Sequence, residues 1–146
     1  MPNCRWATAA DMTKSKVFSL PVRVYFQDTD AGGVVYHANY LNFMERARTE
    51  WLRSHGYSNA GLMKEFGAVF VVRSMKLDYL KPALLDDALE VTVLLKDIGR
   101  SRLTLLQTVL RGDELLTEAE VHLACVSVEN FKPVSVPEVL RKKLQS

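Results

Sequence analysis

The chain has 146 residues, 48% hydrophobic and 25% charged, which suits one folded domain with a real core and argues against two. Its 19 Lys and Arg against 17 Asp and Glu give a net charge of +2, so no whole-chain field points to nucleic acid or to a membrane surface. No apolar stretch approaches the roughly 20 residues of a bilayer span and no apolar signal core follows the start, so a cytoplasmic location is expected.

Residues 1–16 mix small, polar and charged side chains without a period, which predicts a flexible tail before a single domain at 17–146. Phe18 to Phe26 reads as a strand. Next comes the run Tyr25-Phe26-Gln27-Asp28-Thr29-Asp30-Ala31-Gly32-Gly33-Val34-Val35-Tyr36-His37-Ala38-Asn39-Tyr40, in which a strand breaks into acids and glycines before a helix. Gly33 and its neighbour let the backbone turn tightly and approach a ligand, and the following helix offers unpaired N–H groups at its positive dipole end. From Asn39 to His55, Tyr40, Leu41, Met44, Ala47, Trp51 and Leu52 fall at helical spacing, with Asn39 read as the N-terminal cap and Gly56 as the stop.

A short helix is expected at 59–66. Strand-like alternation follows, with Val69, Val71, Met75 and Leu77 on one parity and Arg73 interrupting it. Further strands are expected at Leu89–Ile98, Ser101–Leu110 and Leu115–Val128, with Gly99 in a hairpin, and a last helix near Glu138–Leu144. The order predicts an α+β domain: an antiparallel sheet packed around one early helix. Two cysteines are present; Cys125 reads as a buried small hydrophobe, and without Cys-x-x-Cys or Cys/His spacing no zinc is expected.

The paired acids Asp28 and Asp30 are a weak signal alone, since either could simply accept backbone N–H bonds in a turn. Tyr25 and Tyr36 flank the loop, where aromatics either shape a pocket or pack into a core. Asn39 caps the helix or hydrogen-bonds toward the loop. The imidazole of His37 is open to a structural or a chemical role. Glu45 either orders a pocket or pairs with neighbouring arginines on its own helix. Lys96, Arg100 and Arg102 cluster near Gly99, either as a solvated turn or as a basic rim for phosphates, with Arg73 and Lys76 as alternatives. No Gly-x-Ser-x-Gly elbow, Walker loop or dinucleotide fingerprint occurs, so a Ser-His-Asp triad and a nucleotide cofactor have no support.

The run from Tyr25 to Tyr40, continued by Leu41-Asn42-Phe43-Met44-Glu45-Arg46-Ala47-Arg48-Thr49-Glu50-Trp51-Leu52, closely resembles the 4-hydroxybenzoyl-CoA thioesterase-type hot-dog proteins. Within these it is most similar to the acyl-CoA thioesterases associated with the Tol-Pal system. The resemblance covers roughly 22–128 and implies a hot-dog fold that assembles as homodimers or homotetramers by joining sheets. It implies hydrolysis of an acyl-CoA to a carboxylic acid and CoA, with Asp30 as nucleophile or general base and the main-chain N–H of His37 polarising the carbonyl. Tyr25, Gly33, Tyr36, Asn39, Arg100 and Arg102 are the expected substrate-binding residues; no metal or other cofactor is called for. Two rivals stand beside this: a thioesterase acting on acyl carrier protein, and a non-catalytic acyl-ligand sensor or interaction module.

Overall fold

The computed structural model describes residues 17–146; the expected tail at 1–16 lies outside the described residues. Five strands form an antiparallel sheet: β1 (Phe18–Arg23), β2 (Ala68–Tyr79), β3 (Ala88–Ile98), β4 (Arg102–Arg111) and β5 (Glu114–Ser127), in the order β1-β3-β4-β5-β2. Helix α1 (Asn39–Ser54) packs against β1 and β3, α2 (Asn59–Phe66) leads into β2, and α3 (Glu138–Gln145) closes the chain. This is the expected α+β hot-dog arrangement. The two hairpins β3–β4 and β4–β5 follow from strands that alternate around short turns, and β2 completes the sheet by a long antiparallel pairing with β5.

Helix α1 forms because Tyr40, Phe43, Met44, Ala47, Trp51 and Leu52 make one apolar stripe, each no more than 5% exposed. Opposite them stand Val91, Val93, Leu103, Leu105, Val109, Val121 and Leu123 from the sheet. Burying each such large side chain contributes about 1.5–3 kcal/mol, so the helix is held by its inner face rather than by propensity. Leu41, expected on that face, points outward, and Phe43 takes the inner position because it lies three residues from Tyr40 and four from Ala47. Gly56, at φ 88°, ends the helix as expected by donating its N–H to the Arg53 carbonyl.

Two further expectations change. Val69 and Val71 do not share a face with Met75 and Leu77: the register shifts between Val72 and Ser74, so Arg73 is the extra residue of a β-bulge. Ala68 and Phe70 before it, and Met75 and Leu77 after it, are the residues that reach the core. The first strand is also shorter than expected, ending at Arg23, because Phe26–Asp28 winds into a single 3-10 turn. Cys125 is buried as expected, and burial pushes its thiol pKa up.

The two ends of the sheet have different neighbours. At one, the β3–β4 turn carries α3, whose Arg141 guanidinium donates to the carbonyls of Gly99 (2.9 Å) and Arg100 (3.1 Å). At the other, the start of β3 lies beside the end of β1 and the loop that follows it.

Candidate active site

The acid and glycine run folds as a miniature hairpin. The Asp30 N–H donates to the Val34 carbonyl (2.9 Å), the Tyr36 N–H donates to the Asp28 carbonyl (2.9 Å), and Thr29 bridges Val35. Its tip is a turn in which the Gly33 N–H donates to the Asp30 carbonyl (3.1 Å), and Gly33 sits at φ 78°, a conformation that costs other residues strain. The second arm runs through His37 into α1.

The two acids of the loop differ completely in setting. Asp28 is 5% exposed; its carboxylate accepts the Tyr25 N–H (2.8 Å) on one oxygen and the Asn39 side-chain amide (2.8 Å) on the other. Asp30 is exposed; one carboxylate oxygen accepts the Gly32 N–H (2.8 Å), and the other takes no hydrogen bond among the described residues. Asp28 therefore ties the loop together, and Asp30 presents a free oxygen to solvent.

Asn39 is not the cap of α1. Ala38 occupies that position without a side-chain bond, and Asn39 is the first helical residue, with its amide committed to Asp28 and its carbonyl oxygen accepting from Asn42 (2.7 Å). The buried carboxylate outcompetes the cap geometry because an unpaired buried charge costs more than a missing cap.

At the start of the helix the Asn39 N–H donates to the Tyr36 carbonyl (2.8 Å). In a trans peptide C=O and N–H point in opposite directions, so the His37 N–H on that same peptide is turned away from the helix body. No acceptor among the described residues takes it. It is an unused donor at the positive end of a 16-residue helix.

His37 itself is exposed and lines a largely apolar cleft of about 260 Å³ with Val35, Tyr40, Tyr79, Leu80, Lys81 and Pro82. The Tyr36 ring tilts against its imidazole at 4.6 Å, and Tyr79 meets it edge-on at 6.4 Å. Tyr25 and Tyr36 are 61% and 50% exposed, so neither packs into the core. The structure brings Tyr25, Asp28, Asp30, Gly33, Tyr36, His37 and Asn39 into one loop and helix start. Arg100 and Arg102 lie past the far end of β3; over its 11 residues that strand spans roughly 35 Å, so within one chain they do not border this loop. Glu45 is exposed and lines a separate cavity of about 160 Å³ with Arg48, Thr49 and Trp51. There burial lowers the Arg48 pKa and the Glu45 charge opposes the shift, while the guanidinium donates to Gln107 at 2.9 Å.

The loop rests on residues that carried no signal in the sequence. Segment 80–87 receives it: the Val35 N–H donates to the Ala83 carbonyl (2.9 Å), Leu84 bridges Val34, and the Ala83 N–H donates to the buried Tyr40 hydroxyl (3.0 Å). That segment is clamped in turn by Arg111, whose guanidinium reaches Asp87 (2.7 Å), Glu114 (2.6 Å) and the Pro82 carbonyl (3.3 Å). Arg111 stands 24 residues along the chain from Asp87, so no local pattern joins the two. Among the described residues no group of three His, Cys, Asp or Glu side chains could hold a metal ion.

A family model described as the thioesterase-like superfamily matches residues 24–144, nearly the whole of the described chain. The chain belongs to this superfamily. Among curated members, it is 44% identical over 124 residues to the acyl-CoA thioesterase YbgC of Haemophilus influenzae, covering 85% of this chain and 91% of that protein. It is 48% identical over 123 residues to the acyl-CoA thioester hydrolase YbgC of Escherichia coli O6:H1, covering 84% and 91%. Among solved thioesterase-like structures, a probable thioesterase from Bartonella henselae superposes with a TM-score of 0.80 at 36% identity, covering 83% of this chain and 99% of that one. The expected enzyme class, a thioester hydrolase, agrees with the superfamily and with these relatives.

Proposed function

We propose that the chain hydrolyses acyl-CoA thioesters to a free carboxylic acid and CoA, with residues 17–146 as the catalytic domain. The observation that carries this reading is the His37 N–H: an unpaired donor at the start of α1, facing outward beside an apolar cleft. A thioester carbonyl seated against it gains a hydrogen bond that strengthens as negative charge develops on the oxygen, and the helix dipole adds to that gain. Asp30 supplies the other half. Its free carboxylate oxygen either attacks the carbonyl carbon, giving a mixed anhydride that water then opens, or takes a proton from the attacking water. In both routes the C–S bond breaks, and the sulfur leaves as thiolate and is protonated as CoA.

The remaining site residues take supporting roles. Asp28 and Asn39 fix the loop to the helix, Gly33 gives the tip its turn, and Tyr25 and Tyr36 flank the approach of the acyl-CoA. β2 is an edge of the sheet with no strand on its outer side among the described residues, and its end supplies Tyr79 to the cleft. An edge of this length favours pairing with a second copy in a homodimer or homotetramer, which is also how Arg100 and Arg102 would come to serve the phosphates of CoA bound at a neighbouring site. Among the described residues no helix is long and apolar enough to cross a membrane, and we place the enzyme in the cytoplasm. The similarity to the YbgC enzymes supports acyl-CoA as substrate and, through the resemblance, a role alongside the Tol-Pal system.

The test is a hydrolysis screen across short, long and aromatic acyl-CoAs, with acyl carrier protein thioesters included, on wild type and Asp30→Asn. Turnover of at least one acyl-CoA is expected, unchanged by chelator, together with a loss of about 100-fold or more in kcat for folded Asp30→Asn. Turnover only of the carrier-protein thioesters would move the substrate assignment. No turnover of any thioester, with acyl-CoA still bound, would leave a ligand sensor.

A further inference from the structure

His37 stands one residue before the Ala38 cap, so α1 supplies no N–H to its carbonyl, and the Leu41 N–H donates to the Ala38 carbonyl at 3.2 Å. The His37 carbonyl oxygen accepts the hydroxyl of Tyr79, from the end of β2, at 2.6 Å. His37 is thus held on both sides. The peptide before it is pinned by the Asn39 N–H on the Tyr36 carbonyl, and the peptide after it by the Tyr79 hydroxyl.

We propose that Tyr79 is a positioning residue for hydrolysis, whose hydroxyl fixes the His37 main chain so that the His37 N–H stays aimed at the thioester carbonyl. This inference rests on the reading of His37 as the carbonyl-polarising donor. With both flanking peptide planes pinned, the dihedrals of His37 are set and its N–H direction is preorganised before substrate arrives. The hydroxyl has a second effect. An unpaired His37 carbonyl would set a negative dipole end one peptide away from the oxygen that becomes charged, and donation from Tyr79 offsets it.

The surroundings support a fixed donor. The Tyr79 ring packs edge-on to Tyr40 at 5.4 Å, and Tyr40 is itself buried and bonded to Ala83. Desolvation, then the proximity of Tyr40, raises the Tyr79 pKa above its ordinary 10.0, so the phenol keeps its proton throughout the neutral range. Tyr79 also ends the edge strand β2, so one hydrogen bond ties His37 to the sheet.

The experiment compares wild type with Tyr79→Phe, which keeps the ring in the cleft and removes only the donor. Steady-state kinetics on the best acyl-CoA, thermal unfolding, and the backbone amide NMR signal of His37 with and without a non-hydrolysable acyl-CoA analogue are measured on both. The expected result is a fall in kcat of roughly five- to tenfold, in line with one lost hydrogen bond, with KM and unfolding midpoint nearly unchanged. The His37 amide signal should move on analogue binding in wild type and move less in the variant. Unchanged kcat with an equal amide response in both proteins overturns the role of Tyr79 and leaves His37 as donor. A fall in kcat matched by a large fall in unfolding midpoint, with the amide response retained, also overturns it, since Tyr79 would then be merely structural. No His37 amide response in catalytically active wild type rejects the His37 donor itself, and with it this inference.

Discussion

The carboxylate of Asp28 and the side-chain amide of Asn39 meet at 2.8 Å, joining the entrance of the loop to the first residue of α1 across 11 positions of sequence. The same carboxylate accepts the Tyr25 N–H on its other oxygen, so a single buried acid closes the base of the loop.

Replacing that acid by its amide makes the prediction sharp. In Asp28→Asn one oxygen becomes an NH2 group facing a donor, either the Tyr25 N–H or the Asn39 amide, and that donor loses its acceptor. Chemical denaturation should show a loss of about 1–3 kcal/mol, the cost of an unsatisfied buried polar group. Asp30→Asn, at an exposed side chain that accepts only the Gly32 N–H, should unfold close to wild type while losing turnover. A stable Asp28→Asn would show that the loop does not depend on this carboxylate.

Gly33 separates space from conformation. A Cβ there meets nothing within 4 Å, so Gly33→Ala adds no clash, yet φ is 78°. The substitution should cost about 1 kcal/mol of stability from left-handed strain alone. A crystal structure of the variant showing an unshifted tip, together with that cost in urea titrations, is the expected pair; a stabilised variant would contradict the conformation assigned to the tip.

Arg111 supports the site through segment 80–87. Arg111→Met removes the donors that hold Asp87, Glu114 and the Pro82 carbonyl, and because these pairs are solvent-screened, chemical denaturation should show only a small loss of stability. Hydrogen exchange should speed at the Val35 amide, whose acceptor is Ala83, more than at amides in the middle of β4. Equal exchange at both sites would mean that the clamp does not act on the loop.

His55 gives a pH signature away from the chemistry. Burial, and secondarily the Lys143 charge, lowers its pKa below the ordinary 6.5. As pH falls through about 6.5 the unfolded chain binds a proton that the folded chain still refuses, so stability drops until the lower folded pKa is passed. His55→Gln should therefore lose less stability than wild type between pH 7.5 and 5.5 in denaturation titrations. An identical loss in both proteins would place the acid sensitivity elsewhere.

Apolar spacing was enough to place the early helix, the strands of the sheet and the glycine turn of the loop, because burial of one face and the backbone freedom of glycine are local consequences of residue type and order. The same reading misplaced Leu41 and could not see the bulge at Arg73, since either face satisfies a period until the opposing surface is known. Residue pattern alone did not separate Asp28 from Asp30, which only the resemblance set apart, and it left Asn39 as either a cap or a hydrogen-bond partner of the loop. The tertiary structure gave the physical difference, by burying Asp28 against Asn39 and leaving an oxygen of Asp30 free. Tyr79 beneath the His37 carbonyl and Arg111 behind segment 80–87 were invisible for the same reason: each acts on residues more than 20 positions away, and such hydrogen bonds exist only once the sheet has brought its strands into register.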